Sequence, residues 1–151
     1  AQKPEGKPAF LPIPEADKQK YVPELHEYCK ILINGDEPDT HSIRSVYEDY
    51  GVWGPVLYIL ERLVQRDPDR LSYTYDPDVK RLVVKSGGHE ILAETGRTHL
   101  LVDGEENLMN GEPRIQEGTF YMEISALIPW IKGLTAAYDD GIRAYRIKTD
   151  N

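Results

Sequence analysis

Four histidines, one cysteine and several pairs of acidic residues are the side chains of this sequence that could carry out chemistry. The histidines are His26, His41, His89 and His99. No two of them stand at the i, i+4 or His-x-His spacing that makes a metal site specific, although His89 and His99 could approach each other across a hairpin. Surface and turn histidines are therefore expected, and we predict no metal site.

The single cysteine, Cys29, lies between Tyr28 and Lys30 in a run typical of a β-strand. A nucleophilic cysteine needs a histidine within reach and an exposed, electropositive setting. His26 is close in sequence but would point elsewhere along a strand. We therefore interpret Cys29 as a small buried apolar residue, and a lone cysteine excludes an intrachain disulfide.

The Asp-x-Asp spacing of Asp67-Pro68-Asp69 and Asp76-Pro77-Asp78 is reminiscent of part of a calcium loop. The further ligands and the closing glutamate of an EF-hand are absent, so turn capping is the favoured interpretation and weak calcium binding is the alternative. A hydrolase would need two carboxylates that converge in a cleft, and sequence alone does not bring two together. We predict no catalytic residue, no cofactor and no enzyme activity, with a hydrolase as a less favoured alternative.

Aromatic residues are the most suggestive feature for binding, since the chain has ten tyrosines and two tryptophans. Four of them lie close together around the start of a predicted helix: Tyr47, Tyr50, Trp53 and Tyr58. Aromatic rings beside charged groups provide a large contact area for sugars or peptides at low entropic cost. These four are the predicted partner-binding residues. The alternative is that Tyr47 and Trp53 fill the core.

Composition limits the classes of protein to which the chain can belong. With 151 residues, of which 40% are hydrophobic, it can bury one core. Its net charge of −8 and the lack of a Lys/Arg cluster argue against nucleic-acid binding. No apolar run reaches the roughly 18 residues of a membrane-spanning helix. Residues 1–27 are rich in proline and are predicted to be a flexible or extended segment, typical of a mature end left after removal of a signal peptide.

Residues 73–105 contain short strand signals separated by turn residues, which predict an antiparallel meander. Gly54-Pro55 predicts the start of an amphipathic helix that ends at Asp67. Residues 43–50 and 124–131 both have apolar residues at i, i+3, i+4 and i+7, which predicts one or two helical turns and a second amphipathic helix. Pro129 is expected to kink or shorten the latter.

Two halves of the chain, about 28–85 and 89–148, are similar to each other. The matching segments are Ile33-Asn34-Gly35 with Val102-Asp103-Gly104, Tyr50-Gly51 with Glu117-Gly118, and Tyr75-Asp76 with Tyr138-Asp139. A duplicated unit explains this pattern, and chance similarity in a turn-rich chain is the alternative. We predict an α+β fold in which a duplicated strand–loop–helix–hairpin unit forms antiparallel sheets with two amphipathic helices.

Each unit resembles the copper amine oxidase N-terminal-like domain, or stalk domain, of secreted and surface proteins of Gram-positive bacteria. The resemblance covers residues 28–148 and rests on the Asn/Asp-Gly turns, the Gly54-Pro55 helix start and the Tyr-Asp pairs. It implies a small, non-catalytic domain that carries no copper ligands and is secreted or held at the cell surface.

The function expected from these observations is a non-catalytic module that binds a protein or a cell-wall polysaccharide. The alternative is a structural spacer or assembly domain, in which strands predicted at 28–33 and 142–147 serve as sheet edges and join subunits into a homo-oligomer. An inhibitor of a secreted enzyme is a further alternative, suggested only by the length of a loop predicted at 105–118.

Overall fold

Strands dominate the computed structural model, which describes residues 26–48 and 50–150. Strands account for 50% and helices for 15% of the structure. The strands are β1 (His26–Ile33), β2 (Ser45–Glu48), β3 (Gly51–Gly54), β4 (Leu71–Asp76), β5 (Arg81–Ser86), β6 (His89–Glu94), β7 (His99–Val102), β8 (Glu105–Leu108), β9 (Arg114–Gln116), β10 (Thr119–Glu123), β11 (Leu134–Asp139) and β12 (Ala144–Thr149). The helices are α1 (Val56–Arg66) and α2 (Ile124–Leu127), and a 3-10 turn (Ile128–Trp130) follows α2.

The strands form two sheets. One has seven strands in the order β11-β12-β1-β2-β3-β10-β9, and the other has five in the order β4-β5-β6-β7-β8. The five-stranded sheet is antiparallel throughout, so the meander predicted for residues 73–105 is confirmed. The seven-stranded sheet differs in one respect, since β1 and β12 run parallel.

The predicted α+β fold with two amphipathic helices is wrong, because the protein is mostly β. The first predicted helix is present as α1, whose buried residues Val56, Ile59, Leu60 and Leu63 form one stripe. The second is a single α-helical turn whose four residues are all buried, so it has no exposed face. Pro129 lies in the 3-10 turn that follows, where its missing N–H prevents a regular α-helix from continuing.

The helical turns predicted at 43–50 are absent, since this region contains β2 and leads into β3. Val46 and Tyr47 are adjacent and both buried, although adjacent residues of a strand point to opposite faces. Both faces of β2 are therefore covered, and such a strand lacks the apolar–polar alternation that identifies a strand in a sequence. The long loop predicted at 105–118 is likewise wrong, because it contains β8 and β9.

The strands expected to be sheet edges lie inside the seven-stranded sheet. β1 lies between β12 and β2, and β12 lies between β11 and β1. The outer strands of the two sheets are β11, β9, β4 and β8. The prediction that 28–33 and 142–147 form sheet edges is therefore wrong, and the predicted assembly of subunits loses the edges on which it rested.

One apolar core contains residues of both sheets and of both halves of the chain. Its buried residues include Ile31, Phe120 and Ile147 from the seven-stranded sheet. Leu82 and Leu100 from the five-stranded sheet belong to the same cluster. The burial of large apolar side chains is the main stabilising contribution to such a fold, so the two halves share their principal source of stability. No helix within the described residues is long and apolar enough to cross a bilayer.

The two halves contain closely matching hairpins. The hairpins β4–β5 and β11–β12 each consist of two six-residue strands and lie 63 positions apart, since Leu71 corresponds to Leu134. In the first turn the Asp78 N–H donates to Asp76 Oδ1 at 2.9 Å. In the second the Gly141 N–H donates to Asp139 Oδ1 at 3.0 Å. The two turns therefore use the same capping hydrogen bond.

A second pair of hairpins, β2–β3 and β9–β10, lies side by side in the large sheet, where β3 pairs with β10. Glu48 pairs with Gly51 and Gln116 with Thr119, so Gly51 corresponds to Thr119. The alignment of the two halves in the sequence matched Gly51 with Gly118, so it is shifted by one residue here. The duplication itself and the division into a segment 1–27 and a domain 28–148 remain predictions. Most of residues 1–27 lie outside the described residues, and residues 26 and 27 belong to β1.

Candidate binding groove

The four aromatic residues predicted to bind a partner do not form one open surface. Tyr47 and Trp53 are buried, and Tyr50 and Tyr58 are partly buried. Tyr47 packs edge-on against Tyr138 in the main core, with 4.7 Å between ring centroids. Trp53 belongs to a separate small cluster. The predicted role of these four residues in binding remains untested, but the structure separates them.

The small cluster around Trp53 is closed by contacts within the protein. It contains Val46, Trp53 and Tyr121, and the Arg114 guanidinium lies 5.1 Å from the centroid of each of the two aromatic rings. The Trp53 indole N–H donates to the Glu48 carbonyl at 3.2 Å. The Tyr121 hydroxyl donates to the carbonyl of Arg44 at 2.7 Å. The polar atoms of both rings therefore already have partners inside the fold.

An open groove lies beside β1. It has a volume of about 600 Å³ and is formed by β1, the segment 37–45 and the turn between β11 and β12. Its lining consists of Tyr28, Cys29, Lys30, Ile31, Glu37, Pro38, Thr40, Ser42, Ile43, Arg44, Ser45, Ile142 and Arg143. Its volume falls in the range typical of ligand pockets, about 300–1,000 Å³.

Two of the five large apolar residues that are exposed within the described residues lie on this groove. The side chain of Tyr28 is 59% exposed and that of Ile142 is 48% exposed. The alternation of β1 explains the first, since Tyr28 and Lys30 are exposed while Cys29 and Ile31 are buried. Ile142 is exposed because it lies in the β11–β12 turn.

The charges of the groove differ in sign from the charge of the whole chain. Three of its lining residues are cationic, Lys30, Arg44 and Arg143, and one, Glu37, is acidic, whereas the chain has a net charge of −8. The Arg44 guanidinium lies over the Tyr28 ring at 4.4 Å from its centroid, a cation–π contact that holds both groups in place. Lys30 lies 3.8 Å from Glu37, an ion pair between exposed groups.

Residues that could support catalysis are either buried or hydrogen-bonded within the fold. Burial raises the pKa of the Cys29 thiol to about 12, so almost no thiolate is present at neutral pH. Asp76 and Asp139 cap their turns, as described above. Asp103 accepts a hydrogen bond from the Glu90 N–H at 2.9 Å and lies 2.6 Å from His89 Nδ1. Within the described residues no three His, Cys, Asp or Glu side chains are grouped so as to hold a metal ion.

Sequence reasoning did not identify Tyr28 or Ile142 as binding residues. The signal for Tyr28 was present, because it occupies the same face of a predicted strand as Lys30, opposite the apolar residues Cys29 and Ile31. No comparable local signal exists for Ile142 and Arg44, which lie outside β1 and reach the groove only through the fold.

Comparison of the chain with family models, with curated proteins and with solved structures found no match. The resemblance to the stalk domain family is therefore supported only by the motifs in the sequence and remains a prediction.

Proposed function

We propose that this protein is a non-catalytic binding module and that its ligand occupies the groove beside β1. The observation that carries the proposal is the exposure of Tyr28, with Arg44 stacked on it and Ile142 close by, on one groove of about 600 Å³. Tyrosine and arginine are enriched at the centres of binding surfaces because each combines a large contact area with hydrogen-bonding groups.

A protein or a cell-wall polysaccharide is the partner that we propose, in a secreted or cell-surface setting. The motive is the sequence resemblance to stalk domains. The pair of matching hairpins supports the idea of a repeated unit on which that resemblance rests. The high pKa of Cys29 and the turn-capping roles of Asp76 and Asp139 support a function without catalysis.

Chemical-shift mapping on the ¹⁵N-labelled full chain tests the groove directly. Soluble cell-wall glycan fragments and an extract of surface proteins serve as the two ligand sources. We expect the largest shift changes at residues 28–31 and 142–143. Tyr28→Ser and Ile142→Ser should each lower the affinity for the ligand by about tenfold.

The turn of the first hairpin provides a matched control. Val79 stands 63 positions before Ile142, is 45% exposed and lies outside the groove. Val79→Ser removes the same kind of side chain from the same kind of turn, so it should leave binding unchanged. Shift changes that map to another surface would contradict the proposal. An equal loss of ligand affinity in Val79→Ser and Ile142→Ser would also contradict it.

A further inference from the structure

The first and the last strands of the described chain are neighbours, although they are separated by more than a hundred residues. β1 and β12 pair in parallel over four residues, with Lys30 opposite Ala144 and Ile33 opposite Ile147. Every other strand pair in residues 26–48 and 50–150 is antiparallel. The formation of this single parallel pair by the first and last of the described strands has a mechanical consequence.

Tension along the chain would load this pair along the strand direction. When tension acts on β1 at His26, where the strand begins, and on β12 at Thr149, where the strand ends, it loads the pair at these two points. Because the strands are parallel, these points lie at opposite ends of the pair. The strands can separate only by sliding past each other, and sliding loads all of the hydrogen bonds between them at once.

Further contacts reinforce the same pair. Asn34, just after β1, donates from Nδ2 to Thr149 Oγ1 at 2.9 Å and accepts the Thr149 N–H on Oδ1 at 3.1 Å. The Asn34 N–H donates to the Ile147 carbonyl at 2.8 Å, and the Lys30 N–H donates to the Arg143 carbonyl at 2.9 Å. These bonds extend the contact beyond the paired residues at both ends. We use the term clamp for residues 30–34 together with residues 143–149.

The first half of β1 is held on its other side. His26–Cys29 pair antiparallel with the strand β2, with Glu27 opposite Tyr47 and Cys29 opposite Ser45. A pull on the start of β1 therefore works against β2 over its first half and against β12 over its second half. The whole length of β1 resists extraction from the sheet.

We propose that the protein is a force-resisting domain, in which the clamp keeps the fold intact when the chain is pulled from its two ends. This function does not depend on any ligand in the groove. Forced unfolding is governed by the rate of unfolding and not by the equilibrium stability. The clamp should therefore have an effect on unfolding under load that differs from its effect on equilibrium unfolding.

Single-molecule stretching of the full chain between flanking marker domains tests the proposal. End-to-end pulling slides the strands of the clamp. Pulling between position 37 and the C-terminus loads the clamp from one end, because Ile33 and Ile147 lie at the same end of the pair. Both geometries are measured in the same chain, which carries Cys29→Ala and a Glu37→Cys handle, because Cys29 is buried in the core and its replacement alone shortens the folded lifetime. We expect the folded lifetime at equal force to be at least about tenfold longer in the first geometry, since its hydrogen bonds break together. Equal lifetimes would overturn the proposal.

A matched pair of variants separates the clamp from ordinary stability. Asn34→Ala removes two hydrogen bonds of the clamp. Asp103→Ala removes the two contacts that the equivalent turn makes with Glu90 and His89. The backbone φ is 50° at Asn34 and 51° at Asp103, so alanine meets the same conformational strain at both positions.

Both variants should lose similar equilibrium stability in urea. Under constant end-to-end force, Asn34→Ala should unfold about fivefold faster than the unsubstituted chain, because two hydrogen bonds of the clamp are missing. Asp103→Ala should unfold at the rate of the unsubstituted chain. Equal acceleration in the two variants would assign Asn34 a purely structural role and overturn the proposal.

Discussion

The two matching hairpins have the same local structure but different neighbours. The hairpin β4–β5 continues into β6, which pairs antiparallel with β5. In the hairpin β11–β12, it is β12 that pairs in parallel with β1, which lies more than a hundred residues earlier in the sequence. The lengths and the turns agree, including a positive φ of 53° at Lys80 and 51° at Arg143. Short-range sequence therefore determines the hairpin, whereas the rest of the fold determines the strand against which it pairs.

The residues that precede the two helices show a second difference. The residue before α1 is Pro55, and the residue before α2 is Glu123, which is 1% exposed. The Glu123 carboxylate accepts hydrogen bonds from the Asn110 N–H, the Asn110 Nδ2 and the Ser125 hydroxyl, at 2.9, 2.7 and 3.1 Å. A side-chain Cβ at Gly51 would lie 2.5 Å from this carboxylate. The second half has a buried polar network where the first half has a proline.

The largest expected effect tests whether the halves share one core. Leu60→Ala in α1 and Leu127→Ala in α2 both truncate side chains that are fully buried in the same cluster. Each should lower the free energy of unfolding by about 2–5 kcal/mol, through lost burial and the cavity that remains. Urea unfolding followed by tryptophan fluorescence and far-UV circular dichroism should give one coincident transition. Two separate transitions in either variant would show that the halves unfold independently.

The next largest loss of stability is expected at the helix starts, where Glu123 and Pro55 should differ. Glu123→Ala should destabilise the protein by roughly 2–3 kcal/mol, because the donors of Asn110 and Ser125 lose a buried acceptor. Pro55→Ala should cost about 1 kcal/mol or less, since it mainly increases the freedom of the unfolded chain. The same urea titration measures both. Similar losses in the two variants would remove the distinction between the two helix starts.

A smaller effect tests the equivalence of the two turns. Asp76→Ala and Asp139→Ala should each cost about 1 kcal/mol, because each removes the acceptor of a turn hydrogen bond. Asp139 also lies 3.3 Å from Arg146, so its replacement should have the slightly larger effect. Asp78→Ala and Asp140→Ala are controls that keep the acceptor in place. A loss confined to one of the two hairpins would show that the turns are not equivalent.

The smallest expected effect concerns pH. A hydrogen bond from the Glu90 N–H and the contact with His89 lower the pKa of Asp103 in the folded state. A lowered folded-state pKa favours folding above the unfolded value of about 3.9, and this contribution is lost as the pH falls through the folded pKa. The melting temperature of Asp103→Asn should therefore lie below that of the unsubstituted chain at pH 6 and approach it at pH 3. Asp69→Asn, at an exposed position, is the control, and a constant difference across this range would contradict the prediction.

Several parts of the candidate groove could be predicted from the sequence and others could not. The strand containing Tyr28 and Lys30 was predicted, and its alternation places both side chains on one face. The burial of Tyr47 and Trp53 depends on Tyr138 and Tyr121, which are distant in sequence. No local pattern distinguishes an aromatic ring that fills a core from one that meets a ligand, because both require the same residue types.

Local sequence patterns predict the turns, the meander and the first helix correctly. Asn34-Gly35 and Asp103-Gly104 both adopt the positive φ angles that these dipeptides favour. The parallel pairing of β1 with β12 and the position of the groove depend on tertiary structure. The physical reason is the range of the interactions. Turn and helix preferences act between residues a few positions apart, whereas the pairing of β1 with β12 requires the intervening sheets to form and bring them together.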